Sequence, residues 1–145
     1  MNRHKDALAR AATKALAPPP SRGRVLVVED EVDLAWVEQF NLQAEGYDAR
    51  VAPEGRAALQ AVDEFTPDLM LLDVMLPCLD GWSVLARLQE LPHDRRPKVI
   101  VVSAAAGEAA RTRAQKMGAE WFLSKPFDMD ELMQLVDEAL GPNSA

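Results

Sequence analysis

The 145-residue chain is 48% hydrophobic and 27% charged, with a net charge of −7, the balance of an ordinary globular protein long enough to bury a core. Its one cysteine, Cys78, excludes an internal disulfide and a cysteine-based zinc site and fits a reducing cytoplasm. Apolar runs are only a few residues long, as in VLVV at 25–28, which leaves no membrane-spanning helix; the charged N-terminus lacks the apolar stretch of a secretory signal.

The charge is uneven. Residues 1–24 hold six Lys/Arg and one acid, whereas the remainder holds ten basic and 22 acidic residues. An acidic body repels phosphate and makes a poor general nucleic-acid binder. Only the basic arm offers such contacts, and its plainest reading is a solvated extension.

Residues 2–17, NRHKDALARAATKALA, have the composition of a short helix with Leu8, Ala12, Ala15 and Leu16 along one side. Pro18–Pro20 and the following SRG end it and read as a stiff spacer. RVLVVE (24–29) reads as a buried strand, 31–45 as a helix closed at Gly46, and YDARVA (47–52) as a second strand. A helix over 54–65 ends at Thr66-Pro67, and DLMLLD (68–73) is the third strand. A helix over 81–91, a Pro92–Pro97 loop, the strand KVIVVS (98–103), a helix over 108–117, the strand EWFLS (120–124) and a helix over 128–140 complete the series. Strict alternation of strands and helices predicts an α/β protein with a parallel sheet covered on both faces. Continuous apolar runs fit strands buried on both sides.

Ligands of such sheets bind beyond the carboxyl ends of the strands. Those ends carry Glu29 and Asp30 after the first strand, Asp73 after the third, Ser103 after the fourth and Lys125 after the fifth. Each alone has an ordinary reading as a turn or cap residue. Together they put three carboxylates, a hydroxyl and an ammonium on one edge. Crowded carboxylates need a proton or a cation, and an all-oxygen set without His or Cys favours Mg²⁺. A lysine beside them suits a phosphoryl group, and a carboxylate can become an aspartyl-phosphate.

The stretches VLVVEDE (25–31), LLDVMLPCLDGW (71–82), VIVVSA (99–104) and GAEWFLSKPF (118–127) resemble the receiver domain of two-component response regulators, over about residues 24–140. The resemblance implies a flavodoxin-like (CheY-like), doubly wound sheet of five parallel strands in the order 2-1-3-4-5 with five helices. It divides the chain into a basic N-terminal extension with a Pro-rich linker (1–23), a receiver domain (24–141) and a tail (142–145). It implies that Asp73 accepts a phosphoryl group from a histidine kinase or a histidine phosphotransfer protein. Asp30 and Asp73 would ligate Mg²⁺ (or Mn²⁺), Glu29 would act through water, and the Met75 backbone carbonyl would complete the protein ligands. Lys125 would pair with Asp73, and the Lys125-Pro126 peptide would be cis. Ser103 and Phe122 fall on switch positions that reshape the surface of helix four, strand five and helix five. The output would be a downstream protein target or a homodimer, without an output domain in this chain and without a membrane. The implied protein is a switch that assists its own phosphorylation and dephosphorylation, not a conventional enzyme. Met75 and Ala105, two residues after Asp73 and Ser103, are apolar at positions that in the family influence loss of the phosphoryl group, which predicts slow self-dephosphorylation. Cys78 reads as an incidental loop residue.

A Mg²⁺-dependent aspartyl phosphatase of the haloacid-dehalogenase type is the alternative; it wants a second Asp at the place of Met75. A dinucleotide-binding module would want G-x-G-x-x-G after the first strand, where acids stand instead. In the first helix, Leu34, Val37 and Asn41 share a face expected to meet the sheet, with Trp36 roughly opposite and Phe40 between at about 100° per residue. An exposed Trp beside a Phe could serve a partner or the chain's own N-terminal helix.

Overall fold

A computed structural model describes residues 21–104 and 107–141. The expected helix over 2–17, the proline spacer, Ala105 and the tail at 142–145 lie outside the described residues. Five strands form one parallel sheet: β1 Arg24–Val28, β2 Asp48–Ala52, β3 Leu69–Leu72, β4 Lys98–Ser103 and β5 Trp121–Ser124, in the order β2-β1-β3-β4-β5. Helices α1 Val32–Ala44, α2 Gly55–Phe65, α3 Gly81–Leu88, α4 Glu108–Lys116 and α5 Met129–Leu140 alternate with them. A short 3₁₀ turn at His93–Arg95 leads into β4.

The strand sequences explain the two cores. Successive side chains of a strand point to opposite faces. Val25, Val27, Leu69, Leu71, Ile100 and Val102 pack with Leu42 of α1 and Leu132 and Val136 of α5. Leu26, Val28, Met70, Leu72, Val99 and Val101 pack on the other face with α2 and α3, through Val62, Phe65, Val84 and Leu88. β1 and β3 are central, so both of their faces are buried and their apolar runs are unbroken. Each fully buried Leu or Val is worth about 1.5–3 kcal/mol of burial.

The helix starts use local acids. The Glu54 carboxylate accepts a hydrogen bond from Ala57 N at 2.9 Å, and Asp80 Oδ1 accepts one from Ser83 N at 2.9 Å. α3 stops at Leu88 rather than at 91. Glu90 N and Leu91 N bond back to Arg87 O and Leu88 O, a tightened final turn ahead of Pro92.

α1 meets the sheet on a different face from the expected one. Its buried residues are Ala35, Glu38 and Leu42, whereas Val37 is exposed and Leu34 and Asn41 are half-buried. The spacing of 35, 38 and 42 is a regular inward stripe. The glutamate in its middle hides that stripe from a reading based on apolar residues. Trp36 and Phe40 do lie on the exposed side, at 62% and 56% exposure.

Candidate functional site

Strand register builds the site. Val28 pairs with Leu72, so the next residues, Glu29 and Asp73, leave the sheet side by side, and Asp73 N donates to Val28 O at 3.1 Å. Ser103 pairs with Ser124, and Lys125 follows, its N–H donating to Ser103 O at 2.9 Å. Four strand ends thus deliver their polar residues to one edge. The order reverses between β1 and β3, where chains of this topology open a crevice.

Lys125 Nζ donates to Glu29 Oε1 at 2.6 Å and to Asp73 Oδ2 at 2.9 Å. The other oxygen of Asp73, Oδ1, accepts from Ser103 Oγ at 3.0 Å and from Met75 N at 2.8 Å. Glu29 Oε2 accepts from Glu31 N at 3.1 Å. Glu29, Asp73 and Ser103 are buried, while Asp30 is exposed at the rim. The Lys125-Pro126 peptide is cis.

The electrostatics follow from burial. Burial pushes the Glu29 carboxyl above its ordinary range, against the hydrogen bond from Lys125 that favours its charged form. Burial acts against the Lys125 ammonium, but its bonds to Glu29 and Asp73 outweigh that and leave its pKa raised. Carboxylate oxygens of Glu29, Asp30 and Asp73 all lie within 4.8 Å of one another. Three carboxyl groups face one ammonium. A donor set of oxygens alone fits a hard divalent ion such as Mg²⁺.

Three features of the site are not evident from the strand ends. Lys125 holds Glu29 at a shorter distance than Asp73. Gly81, in the LDGW stretch, starts α3 against the Asp73 loop; a Cβ there would stand 2.5 Å from Asp73 O and closer still to Val74 Cα. Glu38 is only 2% exposed, and its Oε1 has no hydrogen-bond partner among the described residues. Burial pushes its pKa up to about 8, with the charge of Glu29 adding to the shift.

The other singled-out residues sit further out. Phe122 is half-buried on β5, with the Arg111 guanidinium 5.0 Å from its ring centroid. Met75 projects outward at 61% exposure, and Cys78 is exposed in the loop beyond it.

The family model for the response regulator receiver domain matches residues 25–137. The chain belongs to the response regulator receiver domain family. Relatives of the receiver domain include the transcriptional regulatory protein PcoR of Escherichia coli, 38% identical over 113 residues, which are 78% of this chain and 49% of PcoR. The phosphate regulon transcriptional regulatory protein PhoB of Rhizobium meliloti is 36% identical over 117 residues, 81% of this chain and 52% of PhoB. This chain thus spans about half the length of these two relatives. A crystal structure of a response regulator signal receiver domain from Bermanella marisrubri superposes with a TM-score of 0.75 at 31% identity, covering 84% of this chain and all of that one. Receiver domains are signalling switches, not conventional enzymes. The haloacid-dehalogenase alternative is not favoured: the position of its second acid is the outward-facing Met75.

Proposed function

We propose that this receiver domain is a phosphorylation-controlled switch of a two-component system, in which Asp73 takes a phosphoryl group from a phosphohistidine of a histidine kinase or a phosphotransfer protein. The observation that carries the proposal is the setting of Asp73, a buried carboxylate with Lys125 at 2.9 Å, Ser103 at 3.0 Å and two further acids within 4.8 Å. A lone structural aspartate has no need of such company.

In the transfer, an Asp73 oxygen bonds to phosphorus as the bond from phosphorus to the donor imidazole nitrogen breaks, and the nitrogen keeps the electron pair. Lys125 moves from the Asp73 carboxylate to the phosphoryl oxygens and offsets their charge. Ser103 exchanges its hydrogen bond to Asp73 for one to the phosphoryl group. Asp30 and Asp73 would hold Mg²⁺, with Glu29 acting through water and Met75 through its backbone carbonyl. Bound Mg²⁺, or Mn²⁺ in its place, supplies positive charge that offsets the acids and the incoming phosphoryl oxygens.

The output reads through Ser103 and Phe122. Movement of the Ser103 hydroxyl towards the phosphoryl group leaves room for the Phe122 ring, and α4, β5 and α5 present a changed face to a downstream protein or a second copy. Arg111 of α4 stands with its guanidinium 5.0 Å from the ring centroid, a contact through which the helix would follow that movement.

The test is incubation of the wild-type chain and Asp73→Asn with acetyl phosphate and Mg²⁺, followed by intact mass. The reading requires a gain of one phosphoryl group in wild type alone. Equal gain in both proteins, or none in either, refutes it.

A further inference from the structure

The exposed face of α1 carries an apolar strip that the phosphorylation pocket does not use. Val32, Trp36 and Phe40 are 78%, 62% and 56% exposed, and their spacing of four stacks them along one side of the helix. The Trp36 and Phe40 rings stack with centroids 5.4 Å apart and planes 16° from parallel. A paired, exposed aromatic strip on a helix offers a contact surface.

The path of the chain indicates what covers it. Residues 21–23 run along the C-terminal end of α1. Arg22 N donates to Gly46 O at 3.0 Å, and Arg22 Nη1 donates to Glu45 O at 3.0 Å. The preceding residues therefore start at the end of the helix that bears the strip. In the sequence before them, Leu8, Ala12 and Leu16 repeat with the same spacing of four as Val32, Trp36 and Phe40.

We infer that residues 2–17 dock as a helix running parallel to α1, with Leu8, Ala12 and Leu16 against Val32, Trp36 and Phe40. The distances allow it. In that register the segment ends about 7–8 Å short of Gly46 along the axis at 1.5 Å per residue, and the three prolines span about 9 Å at 3.1 Å each. A small residue, Ala12, lies opposite the largest ring, so the helices can approach closely. The charges also agree: the register carries Arg3 and Lys5 towards the α1 start, where Glu31 and Asp33 are exposed. Tethering raises the local concentration of this segment far above that of a second copy. Val32 lies two residues from Asp30, so the docked segment also borders the mouth of the acidic pocket.

The experiment uses the full chain labelled with ¹⁵N. Its three tryptophans each give an indole N–H signal, and loss of one signal in Trp36→Phe assigns Trp36. In Leu8→Asp/Leu16→Asp, the Trp36 signal is expected to shift and to lose its protection from solvent exchange, while the Trp82 and Trp121 signals stay in place. Arg3→Glu/Lys5→Glu is expected to give the same change in part, and wild-type protection is expected to survive dilution. A Trp36 indole as open in wild type as in the Leu8→Asp/Leu16→Asp chain overturns the inference. Protection that fades on dilution also overturns it, because a second copy is then the occupant. Both readouts are independent of phosphorylation, so this inference and the proposed function fail separately.

Discussion

The Lys125 ammonium lies closer to Glu29, at 2.6 Å, than to Asp73, at 2.9 Å. One cation thus bridges two buried acids that would otherwise face each other across the pocket. Removing it leaves Glu29, at 3% exposure, beside Asp73 with no compensating charge.

Lys125→Ala should therefore destabilise the fold by about 3–5 kcal/mol near neutral pH, the range for stripping one partner from a buried pair. Urea denaturation measures it. Added Mg²⁺ should recover part of the loss, because it offers the same acids a replacement charge. Since the Lys125 pKa is raised from 10.5, its contribution is complete below that value and is lost only as alkali titrates the folded form. A variant as stable as wild type, with or without Mg²⁺, would show that the bridge carries no weight.

Glu38 gives a prediction of opposite sign. Its carboxyl ionises near 4.5 when unfolded and at about 8 when folded. The folded state therefore keeps a proton that the unfolded state has released across that window. The associated stability is full below 4.5 and is lost progressively as pH rises towards 8. At pH 7 this costs about 3 kcal/mol on the scale of 1.36 kcal/mol per unit. Glu38→Gln should raise stability near neutral pH and flatten its decline, with little effect in acid. Denaturation midpoints across that range check it; a wild-type profile that is already flat contradicts it.

Gly81→Ala tests the packing behind the Asp73 loop. The new Cβ would strike backbone atoms of Asp73 and Val74, which cannot swing aside as a side-chain tip can. A loss of about 1–3 kcal/mol is expected from the overpacking, together with slower phosphorylation of Asp73. Unchanged stability and unchanged phosphorylation would show that the loop yields freely.

Under the proposed function, Met75 would bear on the lifetime of the phosphorylated state. Its thioether side chain, two residues after Asp73, is exposed and offers no strong acceptor to orient an attacking water. A long-lived acyl phosphate is expected, and Met75→Asn should shorten it severalfold. Loss of phosphate from the purified protein, followed by mass against time, checks both. A lifetime of seconds in the wild-type protein would contradict the expectation.

Much of the fold was legible because β1, β3 and β4 are buried on both faces and so read as unbroken runs of Val, Leu and Ile. The pocket was legible because a parallel sheet brings strand ends together, and Glu29, Asp73, Ser103 and Lys125 each follow or end such a run. The orientation of α1 was not legible, since its inward stripe of Ala35, Glu38 and Leu42 has a charged residue at its centre. The Lys125–Glu29 bridge was not legible either: it depends on how a long side chain settles between two acids 96 and 52 positions away. Gly81 was hidden for a similar reason, because close approach to Asp73 is a property of two segments in space.

The central claim is that Asp73, and no other acid of the pocket, takes up phosphorus. Borohydride reduction after treatment with acetyl phosphate converts an aspartyl-phosphate to homoserine, and peptide mass spectrometry then locates it. The account predicts homoserine at position 73 alone, formed with Mg²⁺ and suppressed by a chelator. Homoserine at position 30, a mixture of positions, or none with Mg²⁺ in excess would contradict it.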